Sequence, residues 1–296
     1  MERRFRFGVN LLDPASGADW AAKCRRVEEL GYDVLLVPDH LGRPAPFPSL
    51  VAAAHATRRL RLGTFVLNAA FWNPVLLARE VATTALLTDG RLELGLGAGY
   101  VREEFERAGL AYGTAKDRVD RLEHTVTALR RLLAETGEGA AAPAPPPLLL
   151  GGNGTRMLRL AARYADVVAF TGAEAEPGED DGALRLLPAA AMDARVAAAR
   201  AAAAAHGTDP EFNILVQRVV LTDDRQAAAR EIAAHLHHPP ERELLELPTL
   251  LIGSPREIAA QLRRGRERFG FGYVTVLEPA MEDFAEVIAE LRRNDP

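Results

Sequence analysis

The chain alternates between short apolar runs and segments with helical periodicity, and this alternation limits the folds open to it. Near-continuous runs of Val, Ile and Leu are typical of parallel strands that helices cover on both faces. The predicted strands span residues 5–12, 33–38, 60–67, 91–97, 147–152, 166–172, 212–222 and 272–278. Eight strands that alternate with helices predict an α/β protein, a (β/α)8 TIM barrel.

A doubly wound open sheet is the competing fold, and the first turn between a strand and a helix separates the two. That fold usually carries a Gly-x-Gly-x-x-Gly motif at this turn. Residues 10–19, NLLDPASGAD, have no such motif. The barrel is therefore favoured, and we expect residues 1–296 to form a single barrel domain.

The composition argues against several classes of function. The net charge of −5 comes from interleaved acidic and basic residues, so there is no basic stripe to predict nucleic-acid binding. No apolar stretch approaches the ~20 residues that a membrane span requires. The single cysteine, Cys24, lies on an apolar helical stripe and is predicted to be inert core. Without a recognisable secretion signal, we expect a soluble, cytoplasmic protein.

Three segments interrupt the alternation. Residues 136–147 form a Pro/Ala-rich connector, and the acidic residues 172–185 predict a mobile loop. Residues 235–242 place three histidines beside two prolines, and a solvated helix end is favoured over a metal site because no ligand pattern is completed. We therefore expect no metal. By contrast, Ser254 and Glu257 predict a capping box at the start of a regular helix.

In a barrel of this kind the active site lies at the carboxyl ends of the strands. The second predicted strand ends in DVLLVPDHLGR, which brings Asp39 and His40 to this rim. An imidazole, whose unperturbed pKa is about 6.5, can act as acid or base near neutral pH. Asp39 either raises the pKa of His40 or serves the loop turn. At a strand's carboxyl end we predict that the pair is catalytic.

Polar and small residues also follow the other predicted strands. We expect substrate contacts from Asn10 after the first strand and from Gln217 and Arg218 near the end of the seventh. The glycine-rich segment GLGAGYVREEF, residues 95–105, ends the fourth strand. Its small residues either let a flat ring lie against the backbone or satisfy a steric requirement of barrel closure.

The segment LLLGGNGTRMLRLA, after the fifth predicted strand, is the best phosphate-binding candidate. Glycines let the backbone approach an anion closely, and the start of the following helix supplies free N–H groups and positive potential. A tight turn would explain the same glycines. The residues predicted to bind the phosphate are Gly151, Gly152, Asn153, Gly154 and Thr155.

Several chemistries lack their motifs. No His-x-His pair follows the first strand, which disfavours a metallohydrolase barrel, and no Gly-x-Ser-x-Gly elbow indicates a serine hydrolase. Neither lysine ends a predicted strand, which disfavours Schiff-base chemistry. The remaining set, an imidazole with amides, an arginine and a phosphate pocket, suits a phosphorylated cofactor that carries out the redox chemistry itself.

Together these segments resemble the bacterial luciferase-like superfamily, and more closely its coenzyme F420-dependent (deazaflavin) oxidoreductases. The resemblance lies in the order and spacing of motifs over nearly the whole chain. The motifs include FGVNL, ELGYDVLLVPDHL, LRLGTFVLN, DGRLELGLGAGYVREEF, PPLLLGGNGTRMLRLAARYADVVAFTG and LIGSPREIAAQLRRGRERFGFGYVTV. The resemblance implies a (β/α)8 barrel with luciferase-like insertion segments.

The resemblance also implies roles for individual residues. His40, with Asp39, would lie beside the deazaflavin ring. A non-prolyl cis peptide is expected near Phe65 and Val66, behind the ring, and Asn68 would contact the polar atoms of the ring. The small residues expected to line the ring or ribityl chain are Ala98 and Gly99, and those expected to hold the phosphate are Gly151 to Thr155.

One position departs from the family pattern. Sugar-phosphate dehydrogenases of the family have a glutamate directly after the fourth-strand Gly-x-Gly, where this chain has Tyr100. Glu103 and Glu104 follow, but we assign them to the next helix. The departure puts sugar-phosphate oxidation in doubt and leaves His40 or Tyr100 as the proton donor.

Three hypotheses for the function follow. The first is an oxidoreductase that transfers a hydride between coenzyme F420 and a small organic substrate. The second is a reduced-FMN-dependent monooxygenase of the luciferase type, since the same pocket could hold FMN. The third is a non-catalytic barrel that binds a cofactor or a partner. The family often forms dimers, so we expect a homodimer.

Overall fold

The structure, a computed structural model, describes residues 4–12, 14–136, 144–175, 184–235 and 241–294. Its centre is a sheet in which all neighbouring strands are parallel. The strands are β1 (Arg6–Asn10), β2 (Val34–Val37), β3 (Arg61–Thr64), β4 (Leu67–Asn68), β5 (Leu92–Gly97), β6 (Leu148–Gly151), β7 (Val167–Phe170), β8 (Ala173–Ala175), β9 (Leu184–Leu186), β10 (Glu211–Val216), β11 (Arg218–Leu221), β12 (Leu250–Gly253) and β13 (Phe271–Leu277).

The central sheet closes on itself and forms the predicted barrel. Its strand order is β3-β2-β1-β13-β10-β7-β6-β5-β4, and β3 also pairs with β5. The strands β3 and β4 are two parts of one barrel strand, interrupted at residues 65–66, where a single strand over 60–67 was predicted. Counting them once gives eight parallel strands, and the (β/α)8 prediction is confirmed.

Helices surround the barrel and bury one face each against it. They are α1 (Gly17–Glu29), α2 (Pro46–Ala56), α3 (Pro74–Leu87), α4 (Arg102–Arg107), α5 (Ala115–Thr136), α6 (Thr155–Tyr164), α7 (Ala189–His206), α8 (Arg225–His235), α9 (Glu241–Leu244), α10 (Pro255–Phe269) and α11 (Met281–Asn294), with short 3-10 helices at Ala69–Phe71 and Glu278–Ala280. The predicted capping box of Ser254 and Glu257 opens α10. Cys24 is fully buried in α1, as predicted, and burial raises the pKa of its thiol to about 12. No helix in the described ranges has the length and apolar character needed to cross a membrane.

The seventh barrel strand is shorter than predicted. We expected it to run over 212–222, but β10 ends at Val216, and Arg218 begins β11, which pairs with β12 outside the barrel. The chain leaves the barrel at Gln217, whose backbone N–H donates to the Thr249 carbonyl. A separate small apolar core covers this side sheet; its fully buried members are Ala229, Ile232, Leu244, Leu247, Leu250 and Ile252.

The acidic segment 172–185 also differs from the prediction of a mobile loop. Its two ends, β8 and β9, form an antiparallel pair, and Glu174 on β8 makes ion pairs with Arg185 and Arg195. Residues 176–183 lie outside the described residues, as do most of the predicted Pro/Ala-rich connector and two of the histidines in segment 235–242.

A network of charged side chains fills the barrel at the amino ends of its strands. Arg6 pairs with Glu93 and Glu211, and Arg61 donates to the same Glu93 carboxylate. The Arg6 guanidinium lies 4.5 Å from the centre of the Tyr273 ring, which is fully buried. Buried charges persist when they are paired in this way. The network closes this end of the barrel and leaves the carboxyl-end rim for a ligand.

We predict that Glu93→Gln destabilises the protein. Removing the charge leaves Arg6 and Arg61 without their shared partner, so the free energy of unfolding should fall by about 3 kcal/mol. Urea unfolding monitored by circular dichroism measures the change. Glu135→Gln is the control, because Glu135 pairs with Arg131 on the exposed face of α5, where a loss below about 0.5 kcal/mol is expected. Equal losses in both variants would contradict the prediction.

Candidate functional site

His40 lies directly beyond β2, at the carboxyl-end rim. Its Nδ1 is 2.9 Å from Oε1 of Glu104, and the backbone N–H of Leu41 donates to the same oxygen at 3.0 Å. Glu104 belongs to the first turn of α4 and is only 9% exposed, whereas 38% of the His40 side chain is exposed. The buried carboxylate therefore holds an imidazole that remains open to the rim.

Asp39 joins the end of the second strand to the end of the third. Its Oδ2 accepts a hydrogen bond from the backbone N–H of Asn68 at 3.2 Å and another from Nε1 of Trp72 at 3.0 Å. Burial raises the pKa of the Asp39 carboxyl, and these two hydrogen bonds partly offset that shift. In the structure Asp39 makes no hydrogen bond to the ring of His40, so its predicted catalytic role has no direct contact behind it.

The third strand is interrupted by a cis peptide between Phe65 and Val66, where the resemblance placed one. The half-buried Val66 side chain lies against glycines of two neighbouring strands. A methyl group built on Gly97 would lie 2.7 Å from Val66 Cγ2, and one on Gly151 would lie 3.5 Å from Val66 Cγ1. A methyl group on Gly95 would lie 1.9 Å from the carbonyl oxygen of Thr64. Packing of the third strand therefore accounts for the glycines at 95 and 97.

Gly99 and Asn68 meet next to this interruption. Gly99 has φ +76°, in the left-handed region, and a methyl group on it would lie 2.5 Å from Oδ1 of Asn68. The same Oδ1 accepts a hydrogen bond from the backbone N–H of Ala70 at 3.1 Å. Ala98 is half-buried and packs against the core. The structure thus brings together three residues that the resemblance assigned to the ring.

The glycine turn after β6 leads directly into α6. Gly152 has φ +155°, and its N–H donates to the carbonyl of Ala169 at 3.0 Å. Gly154 is the N-cap of α6, and no side chain caps the helix or places an acid in its first turn. Thr155, the first helical residue, is exposed. The start of α6 therefore offers N–H donors and positive potential that no neighbouring side chain uses.

Asn153 contacts the neighbouring strand ends. Its Nδ2 donates to Oγ1 of Thr171 and to the carbonyl of Ala173, while its Oδ1 is buried without a hydrogen-bond partner. The Nε2 of Gln217 donates to the carbonyl of Thr171 at 3.0 Å. Asn153, Thr171 and Gln217 therefore join the ends of the fifth, sixth and seventh barrel strands.

Tyr100 lies at the outer edge of the rim. Its ring is 6.2 Å from the His40 ring at an interplanar angle of 89°, and 56% of the residue is exposed. Partial burial of the phenol and the charge of Glu104 raise the pKa of Tyr100, so the hydroxyl is protonated at neutral pH. The Tyr112 hydroxyl donates to the Tyr100 carbonyl at 2.9 Å, and Nε of Arg118 donates to the Gly99 carbonyl at 3.1 Å. These bonds fix the backbone of the loop.

The three predicted substrate contacts have different surroundings. Asn10, at the end of β1, is buried, and its Oδ1 has no hydrogen-bond partner. Gln217 lies at the rim, but Arg218 is exposed in the side sheet, because the seventh strand ends earlier than predicted. Sequence reasoning missed the contacts of Glu104 and Trp72. An acidic residue in the first turn after a rim loop was a signal for Glu104; nothing in the sequence pointed to Trp72.

Other possible sites lie apart from this rim. The described residues contain no group of three or more His, Cys, Asp or Glu side chains that could hold a metal ion. A cavity of about 740 Å³ opens on the flank beside α10, and another of about 520 Å³ opens near the amino ends of β10 and β13. None of the rim residues described above lines either cavity.

Comparison with known proteins decides the family. The model of the luciferase-like monooxygenase family matches residues 5–246, most of the chain. The chain belongs to the luciferase-like monooxygenase family.

Named relatives in this family share part of the chain. An F420-dependent glucose-6-phosphate dehydrogenase of Kribbella flavida is 35% identical over 130 residues, which cover 41% of this chain and 39% of that protein. The enzyme of the same name from Intrasporangium calvum is 33% identical over 189 residues, covering 55% and 56%. The chain thus spans between about two fifths and three fifths of these two relatives.

A solved structure supports the same fold. The structure of an F420-dependent secondary alcohol dehydrogenase in complex with an F420-acetone adduct superposes with a TM-score of 0.75 at 17% identity. The superposition covers 98% of this chain and 100% of the other. At this identity the likeness is evidence for the fold alone, and it agrees with the closed barrel described above.

We predict that Gly95→Ala disrupts the packing behind the site. The added methyl group meets backbone rather than a movable side chain, so the free energy of unfolding should fall by about 3 kcal/mol or more. Urea unfolding of Gly272→Ala provides the control, because Gly272 lies in a barrel strand with no atom within 4 Å of the added methyl. A Gly95→Ala protein as stable as this control would refute the packing argument.

Proposed function

We propose that the protein is a coenzyme F420-dependent oxidoreductase that transfers a hydride between the deazaflavin and a small organic substrate. One observation carries the proposal: the exposed imidazole of His40 and the uncapped start of α6 lie at the same carboxyl-end rim of one barrel. A proton-transfer group and an anion site at one rim suit a phosphorylated redox cofactor. The relatives named as F420-dependent dehydrogenases support the choice of cofactor.

The residues at the rim fit this cofactor in two places. The N–H groups at Gly154 and Thr155 have no competing acid or side-chain cap, as a phosphate site requires. At the other place, Val66, Asn68 and Gly99 form a compact wall in which the Gly99 backbone lies against an amide side chain. These residues would hold the phosphate and the ring respectively. When bound, the deazaflavin supplies the group that accepts or donates the hydride.

His40 would handle the proton that accompanies the hydride. Its Nδ1 is engaged by Glu104, so Nε2 is the nitrogen free to take a proton from a substrate hydroxyl or return one. Tyr100 presents a protonated phenol beside it and is the second candidate donor. The Asp39 carboxylate would keep the loop in place through Asn68 and Trp72.

A reduced-FMN-dependent monooxygenase is the second candidate function, and the description of the matching family model favours it. The same wall and phosphate site would accept FMN, so binding of the two cofactors must be compared directly. A homodimer and a small-molecule substrate remain part of our proposal. A barrel that binds a cofactor or partner without turnover is the outcome if neither cofactor supports a reaction.

We predict that F420 binds at the start of α6 and binds more tightly than FMN. Quenching of F420 fluorescence on titration measures the affinity, and FMN serves as competitor. Thr155→Asp should weaken F420 binding about tenfold, since a carboxylate there repels the phosphate and uses the same N–H donors. Thr155→Asn is the matched neutral control and should bind nearly as wild type. Absence of F420 binding, or equal effects of Asp and Asn, would count against the proposal.

We predict that His40→Gln lowers kcat by roughly 10²- to 10⁴-fold, the usual contribution of general acid–base catalysis. F420 affinity should stay within about threefold of wild type, because the exposed imidazole is not placed at the phosphate site. Isopropanol and glucose 6-phosphate are the first substrates to assay, given the names of the relatives. Unchanged kcat in the variant, with a substrate that wild type turns over, would remove His40 from the mechanism.

A further inference from the structure

Two carboxylates lie near His40, and the structure distinguishes their roles. Asp39, its neighbour in the chain, directs Oδ2 to the N–H groups of Asn68 and Trp72. Glu104, sixty-four positions along the chain, accepts from the imidazole itself. The residue adjacent in sequence is thus occupied elsewhere, and the distant one contacts the ring.

The contact with Glu104 determines which ring nitrogen carries the proton. An ionised carboxylate only accepts hydrogen bonds, so the Nδ1 at 2.9 Å has to be the donor. The N–H of Leu41 donates to the same oxygen at 3.0 Å, which places two donors on one acceptor. In the neutral imidazole Nε2 then carries the lone pair, and it has no hydrogen-bond partner among the described residues.

Packing around α4 keeps Glu104 pointed at the imidazole. The next residue, Phe105, is fully buried and packs against the rings of Phe71 and Tyr112, at 6.0 and 5.1 Å between ring centres. This anchor fixes the rotation of the short helix, so that Glu104 faces inward and Glu103 faces solvent. The two adjacent glutamates therefore form a natural pair for comparison.

We propose that Glu104, rather than Asp39, is the positioning residue of this site: it orients His40 and fixes its Nδ1–H form, so that Nε2 is the basic atom at the rim. The catalytic consequence rests on the proposed oxidoreductase function, but the proton position belongs to the protein without cofactor. A buried hydrogen bond to the far nitrogen is the usual way in which a protein sets the form of a histidine. Glu104 would act through His40 and need not contact the substrate.

The first test is nitrogen NMR of the cofactor-free protein labelled with 15N-histidine, at a pH where the imidazole is neutral. The His40 signals are assigned by their loss in His40→Gln. We expect the Nδ1–H form in wild type and in Glu103→Gln, and a mixture or the Nε2–H form in Glu104→Gln, because an amide can donate as well as accept. An Nε2–H form in wild type, or no change in Glu104→Gln, would overturn the proposal. The wild-type measurement decides even if the variant does not fold.

The second test separates this proposal from the proposed function. Glu104→Gln should lower kcat with F420 roughly 10- to 100-fold, a part of what general acid–base catalysis contributes, while F420 affinity stays unchanged. Glu103→Gln should leave both unchanged. If F420 supports no turnover but the NMR result holds, the oxidoreductase proposal fails and the role of Glu104 stands. Normal kcat in a Glu104→Gln variant whose NMR signals have changed would remove its catalytic consequence.

Discussion

The inside of a closed eight-stranded barrel has room for few side chains, and the third strand sets how that room is used. Val66 turns inward at the interruption between β3 and β4 and occupies space above Gly95, Gly97 and Gly151. Any side chain at 95 or 97 would collide with the third strand. The wall of the candidate site depends on this packing, because Asn68 and the loop that carries Gly99 follow directly from these strands.

The candidate site has two halves with different physical character. One half consists of His40, Glu104 and Tyr100, where a buried carboxylate supports an exposed imidazole. The other half is the start of α6, where backbone N–H groups supply positive potential without a charged side chain. Val66 contacts both Gly97 and Gly151 and so connects the strands that carry the two halves.

Sequence reasoning located the strand ends well because burial on both faces produces long apolar runs, and a helix such as α10 announces its start with Ser254 and Pro255. It failed where tertiary contacts decide. The apolar pattern continues unbroken through residue 217, yet the Thr249 carbonyl draws the backbone out of the barrel there. The pairing of His40 with Glu104 joins residues far apart in the chain, and no local pattern encodes it. Asp39 was the natural guess because only adjacency was visible.

The ion pairs of Arg6, Glu93 and Glu211 have a kinetic meaning as well as a structural one. With that end of the barrel closed, a cofactor and a substrate that react inside share one entrance. Whichever lies deeper must load first and depart last, so the steady-state pattern for the proposed reaction would be compulsory-order rather than random. An excess of the shallower ligand would then trap the deeper one and appear as inhibition at high concentration.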